Sequence, residues 1–162
     1  MSRLLSAVAV ALTVALASFA ASATDLQSEK VVKEYMAAWN AHDAAQAAQH
    51  MTDDVIYYDA SIGEPVTGRD AAQTQVIEVF LTAVPDAKWE VRGTMISSAG
   101  QVAFEWVFSG TNSGPWPDGT AATGKHFDLY GASIVLLKDG KIGYQGDYYD
   151  ALNFYRQLGL ME

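Results

Sequence analysis

The stretch Lys125-His-Phe-Asp-Leu-Tyr-Gly-Ala-Ser133-Ile-Val-Leu-Leu-Lys138-Asp139-Gly140-Lys141-Ile-Gly-Tyr-Gln-Gly-Asp147-Tyr-Tyr-Asp150 reads as two long strands around a tight turn. Asp139-Gly140 tolerates the positive φ that a two-residue hairpin turn requires, and β-branched and aromatic residues flank it on both sides. A second hairpin precedes it, with Trp89 to Ser97 and Val102 to Thr111 around Ser98-Ala-Gly100-Gln101. Between the hairpins, Asn112-Ser-Gly-Pro115-Trp116-Pro117-Asp-Gly119 is turn-rich and predicts a projecting rim.

Upstream of these strands the spacing is helical. Leu26, Val31, Val32, Tyr35, Met36 and Trp39 recur at three- and four-residue intervals and form one apolar stripe, which stops at Asn40-Ala-His42-Asp43. A short Ala-rich helix is expected from Ala44 to Met51, followed by a turn at Thr52-Asp53-Asp54 and a strand from Val55 to Asp59. After a loop through Gly63, Pro65 and Gly68, a third helix runs from Arg69 to about Val84 with Ala72, Val76, Val79, Phe80 and Ala83 on one side, and Pro85 closes it. Asp150 to Leu158 forms a terminal helical segment, with Asp150 as its N-cap. Three helices followed by a meander predict an α+β fold: a cone-shaped, curved antiparallel sheet packed against three N-terminal helices and enclosing a pocket.

The 162-residue chain opens Met1-Ser-Arg3, continues apolar from Leu4 to about Ala20, and presents Ala21-Ser22-Ala23 before Thr24-Asp25. A basic start, an apolar segment and small residues at a cleavage point are the marks of a signal peptide, here residues 1–23, so an exported protein with one domain over residues 24–162 is expected. The competing reading is an uncleaved anchor, which the Ala-rich run broken by Ser6 and Thr13 disfavours. The formal charge is −9 with scattered Lys and Arg, which disfavours nucleic acid and anionic membrane surfaces as partners. With no Cys, neither a thiol nucleophile nor a thiolate metal site can form, and neither His42 nor His50 has a partner at metal spacing. No metal and no cofactor is expected.

Asp147 is the leading candidate for chemistry. It shares a strand face with Gln145 and Tyr149, while Tyr144 and Tyr148 point the other way. Set into a pocket, it would be a carboxyl with a raised pKa; otherwise it is a structural acceptor for a hydroxyl or amide. Tyr57 and Asp59 lie two apart on one strand face and could hold a water or a substrate oxygen beside it, unless Asp59 faces water at the strand end. Tyr35, Trp39, Trp106, Phe127, Leu129, Ser133 and Tyr149 are expected as pocket wall for a hydrophobic small molecule. Trp116 is read as a lid, a dimer contact or a simple exposed aromatic. His126 and Asp128 share the face opposite Phe127 and Leu129, as either a base with its orienter or a solvent-facing pair. Thr123-Gly-Lys125 lacks the spacing of a phosphate loop, and Gly131-Ala-Ser133-Ile-Val135 lacks the second glycine of a nucleophile elbow. Ile134, Leu136 and Ile142 are candidates for an outward apolar face that would pair two copies as a homodimer.

The segments Val32-Lys-Glu-Tyr-Met-Ala-Ala-Trp-Asn-Ala-His-Asp43, Asp54-Val-Ile-Tyr-Tyr-Asp59, Gly68-Arg-Asp70, Phe104-Glu-Trp106, Gly110-Thr-Asn-Ser-Gly114, Asp139-Gly-Lys-Ile142 and Asp147-Tyr-Tyr-Asp150 follow one another in an order and spacing that resemble the SnoaL-like polyketide cyclase group of the nuclear transport factor 2-like superfamily. The resemblance implies a cone-shaped barrel with a deep pocket, and an Asp on the last long strand as general acid/base, which by position is Asp147. Related limonene epoxide hydrolases place a water-activating Asp there with a Tyr and an Asn on the first strand, where this chain has Tyr57 and Asp59. Their Arg-x-Asp pair is replaced by Trp106-Val-Phe108, and the His that cyclases of the group carry on the strand before the last is by spacing Ser133. Two readings stay open: a cofactor-free cyclase or isomerase acting on a hydrophobic carbonyl or polyketide-like compound, and a secreted protein that captures a small molecule without converting it.

Overall fold

The computed structural model describes Ala23 and residues 25–161; apart from Ala23, the expected signal peptide lies outside the described residues. Helix α1 covers residues 25–40, α2 Ala44–Gln49, strand β1 Met51–Asp59 and β2 Val66–Thr67. Helix α3 (Arg69–Ala72) continues through a π turn (Gln73–Ile77) into α4 (Glu78–Ala83). Then come β3 Lys88–Ser98, β4 Gln101–Thr111, β5 His126–Lys138, β6 Lys141–Tyr149 and α5 Ala151–Gln157. Among the described residues no helix is long and apolar enough to cross a membrane.

Six strands form one curved, open sheet in the order β2-β1-β6-β5-β4-β3. The two hairpins pair as expected, with Asp139 at φ 53° and Gly140 at 75° in the turn. One pairing differs from the expected antiparallel set: β1 lies parallel to β6, so the sheet is mixed. After β1 the chain crosses by the α3–α4 helix to the far edge, and the meander brings β6 back alongside β1 running in the same direction. That register sets Asp59 opposite Asp147 and Tyr57 opposite Gln145.

Burial follows the two periods read from the sequence. On β4, Val102, Phe104, Trp106 and Phe108 alternate inward, and on β5 Phe127, Leu129, Ser133 and Val135 do the same. Helix α1 lays Val31, Val32, Tyr35, Met36 and Trp39 on this face; Leu26 remains 69% exposed. The strand expected from Val55 begins already at Met51, which pairs with Ile142 of β6, and Arg69 holds the same segment through Met51 O (3.2 Å) and an ion pair with Asp53. In the third helix the π turn inserts an extra residue, so Val76 and Ile77 are both buried while Val79 rotates toward the rim.

Ile142 does not belong to the outer face. Leu136 pairs with Tyr144 but Leu137 with Ile142, so Gly143 is an extra residue on β6 that breaks the alternation. Ile142 is therefore fully buried, whereas Ile134 and Leu136 stay 44% and 38% exposed.

Candidate active site

Adjacent strands carry the polar heart of the interior. Tyr57 and Asp59 from β1, Asp147 and Tyr149 from β6, and Ser133 from β5 share the inner face, since Ser133 pairs with Asp147 and Asp147 with Asp59. Asp147 Oδ1 accepts from Ser133 Oγ (2.5 Å) and Gln145 Nε2 (2.5 Å), and Oδ2 accepts from Tyr57 OH (2.7 Å). Behind these donors stand two more. Trp106 Nε1 donates to Ser133 Oγ at 2.8 Å, and Tyr35 OH donates to Tyr57 OH at 3.4 Å.

Asp59 is bound differently. Its Oδ1 accepts from Ser61 Oγ (2.6 Å), Ser61 N (2.9 Å), Tyr149 OH (2.7 Å) and Ile62 N (3.4 Å). The loop after β1 thus folds back on its own strand end, and Asp59 is 4% exposed rather than facing water.

Burial pushes the Asp147 carboxyl up to about 7; the Ser133 hydrogen bond opposes the shift, the charge of Asp59 adds to it, and Tyr57 and Gln145 oppose it further. Asp59 also lies above its ordinary value, again through burial, but the donors from Ser61, Tyr149 and Ile62 hold it down. Two such carboxyls on neighbouring strands repel as anions, so the pair keeps one proton near neutrality. Asp59 has two backbone amides fixed in favour of its anion, whereas the hydrogen bonds to the Asp147 carboxyl come from side chains. Burial also drives the Tyr57, Tyr35 and Tyr149 hydroxyls well above the usual phenol range, so all three act as neutral donors.

These groups border a narrow cavity with about 30 Å³ open to the centre of a water molecule, room for one or two waters. Of the residues expected at the site, Trp39, Tyr57, Asp59, Trp106, Leu129, Asp147 and Tyr149 line it. Tyr35 and Ser133 stand behind it as hydrogen-bond partners, and Phe127 sits deeper, between Phe108 and Phe154. His126 and Asp128 form an exposed pair at 3.8 Å on the opposite face, away from the cavity. Asp150 caps α5, accepting from Asn153 N at 2.9 Å.

Sequence reasoning missed Phe80, Trp89 and Phe108, which complete the aromatic wall. Alternation would have found two of them, since Phe108 lies two residues beyond Trp106 and pairs with Trp89. Trp89 is fixed by Asn40, whose side chain donates to Trp89 O (2.8 Å) and accepts from Trp89 N (2.7 Å) like an added strand. Among the described residues no three His, Asp or Glu side chains cluster as a metal site would require.

The family model for SnoaL-like polyketide cyclase matches residues 29–158. Among solved structures, the chain is similar to a protein from Jannaschia sp. CCS1 described as SnoaL-like polyketide cyclase (TM-score 0.72, 15% identity, covering 85% of this chain and 95% of that one). It is also similar to TsrD from Streptomyces laurentii (TM-score 0.70, 21% identity, 84% and 97% covered). TerC co-crystallised with polyporic acid superposes at TM-score 0.67 with 14% identity, over 82% of this chain and 98% of that one. At such identities these likenesses carry the fold and leave the chemistry to the residues.

Proposed function

Because this chain belongs to the SnoaL-like polyketide cyclase family, we propose that it is a cofactor-free proton-transfer catalyst in which Asp147 acts on a hydrophobic carbonyl compound. The observation that carries this reading is a fully enclosed carboxyl, with a pKa of about 7, held by Ser133, Gln145 and Tyr57 beside an aromatic cavity. A group half-protonated near neutrality is suited to take and return a proton. In the step envisaged, Asp147 removes a proton from the carbon next to a carbonyl, and the electron pair moves onto the oxygen. As the carboxylate takes up the proton, Tyr57 turns its hydroxyl hydrogen from Asp147 Oδ2 to that oxygen, while its own oxygen accepts from Tyr35. Returning the proton to another carbon completes an isomerisation; attack of the enolate carbon on a second carbonyl, followed by protonation of the new alkoxide, closes a ring.

Exchange of the α-hydrogens of 2-tetralone in heavy water is a probe for this step. The wild-type protein should accelerate exchange, and Asp147→Asn should lower the rate by about 10²- to 10⁴-fold while the far-UV circular dichroism is unchanged. An unaffected exchange rate would remove the reading.

A second reading has its own support: both Asp147 oxygens already accept hydrogen bonds, an arrangement that would equally serve a protein that captures a ligand unchanged. TerC, a relative in fold, was co-crystallised with polyporic acid. A ligand released chemically intact after hours with the protein favours capture; a product favours catalysis. Export by cleavage after Ala23 belongs to the proposal as well, supported by the N-terminal sequence pattern. Mature protein from the periplasm or medium should begin at Thr24, and an intact Met1 start would contradict it. We place the working form as a dimer joined through the outer sheet face.

A further inference from the structure

We propose that the cavity bordered by Asp59 and Asp147 is a binding site for a small alkylammonium cation, which the two carboxyls and the surrounding ring faces hold in place of the proton they otherwise share. This binding goes beyond proton transfer on a carbonyl compound and needs no turnover.

The charge balance of the interior points to a cation. Asp59 and Asp147 are 4% and 5% exposed and lie opposite each other on β1 and β6. No Lys, Arg or His lines the cavity that they border. The titratable groups that face the pair are Tyr35 from α1, Tyr57 from β1, Tyr149 from β6 and Tyr155 from α5, and burial pushes each hydroxyl up, so all stay neutral. Buried carboxylates are ordinarily paired with a cation or bound to a metal. Here the protein supplies no such partner, so the countercharge has to be a proton or a ligand. Among the described residues no third His, Asp or Glu joins the pair to complete a metal-ion ligand set.

The rest of the wall suits an organic cation. Trp39, Phe80, Trp89, Trp106 and Phe108 line the cavity. Neighbouring rings meet near right angles, as adjoining sides of a box do: Trp39 and Trp89 at 73° and 5.6 Å, Trp89 and Trp106 at 87° and 6.1 Å, Trp39 and Phe108 at 88° and 6.1 Å. The negative face of an aromatic ring attracts an ammonium group, and more strongly where water is excluded. The four hydrogen bonds to Asp59 all end on Oδ1, which leaves Oδ2 for an N–H of the ligand. Size sets the upper limit. The 30 Å³ open to water centres holds one or two waters, hence a cation of about two heavy atoms, the size of methylammonium. An overall charge of −9 raises the concentration of cations around the molecule.

Titration of the wild-type protein with methylammonium chloride at constant ionic strength, followed by the tryptophan emission of the cavity wall, tests the site. Methylammonium should give a saturable change, whereas sodium chloride and methanol, a neutral molecule of the same size, should give none over the same concentrations. The cation replaces a proton on a carboxyl whose pKa is about 7, so its affinity should rise about tenfold between about pH 6 and about pH 8. Asp147→Asn removes the titrating group and should abolish that rise while the far-UV circular dichroism is unchanged. A response that methanol or sodium reproduces, or a wild-type affinity that stays level across this pH range, overturns the proposal. None of these readouts involves turnover, so a failure of the Asp147 chemistry in α-hydrogen exchange is seen separately.

Discussion

Asp147 is set by its neighbours in opposite senses: burial and Asp59 favour the acid, while Ser133, Tyr57 and Gln145 favour the anion. Ser133 is the lever that mutation can reach with least disturbance. Removing its hydroxyl takes a 2.5 Å donor from the anion and leaves Trp106 Nε1 without its acceptor. If Asp147 works as a base, the rate rises with pH as the carboxyl ionises; loss of a donor to the anion raises the pKa, so the acid limb moves to higher pH. Ser133→Ala should therefore shift that limb upward by about half a unit to one unit and cost about 1–3 kcal/mol in urea unfolding for the orphaned indole donor. A pH–rate profile superimposable on that of the wild type would show that Ser133 does not tune Asp147. A His in this position would put a second titrating group against Asp147; a Ser supplies a neutral donor and leaves the carboxyl pair to set the charge.

At the scale of elements, Gly131 decides whether the site can form. It pairs with Trp106 on one side and Tyr149 on the other, and a Cβ there would stand 2.4 Å from two atoms of the indole ring. The bare backbone of β5 lets Trp106 lie across the strand, so that Nε1 reaches Ser133 and the ring meets Tyr149 at 5.9 Å. Gly131→Ala should displace the indole, cost about 1–3 kcal/mol by overpacking, and depress α-hydrogen exchange through Ser133. Unchanged stability together with unchanged tryptophan fluorescence would refute this. The hairpins and the helical stripes were legible in sequence because local pattern dictates them: Asp139-Gly140 for the turn, alternation for β4 and β5. Asp147, Tyr57 and Asp59 could be picked out as residues sharing strand faces. Their meeting was expected only by way of the family resemblance, since the parallel β1–β6 pairing that produces it depends on a crossover that no local signal encodes. Gly143 was equally hidden, because a bulge shows only when one strand is counted against its partner, and it moved Ile142 from the surface to the core.

For the whole molecule, the unexplained surface is the convex side of the sheet. Tyr130, Ile134, Leu136 and Tyr148 are 57%, 44%, 38% and 43% exposed, and Ile56 on β1 is 43% exposed. Register makes them neighbours: Ile134 pairs with Gly146, Leu136 with Tyr144, and Ile56 with Tyr144. Gly146 lets Tyr144 and Tyr148 fold toward each other until their hydroxyls are 2.7 Å apart, and Tyr58 leans on Tyr148 at 5.3 Å, which flattens the patch. A largely apolar face of this kind, bordered by Arg92 over the Tyr130 ring (5.0 Å) and by the Lys138–Asp54 ion pair (2.7 Å), suits a self-complementary two-fold contact, since each copy presents the same patch. Sedimentation of the mature protein should give a dimer on the order of ten micromolar, tightening with added salt as like charges are screened. Ile134→Lys, at a side chain that faces outward while its neighbour Ser133 faces inward, places two like charges across the two-fold axis and should yield a monomer with the same circular dichroism. A monomeric wild-type protein at that concentration, or a dimer indifferent to the lysine, would assign the patch to some other role.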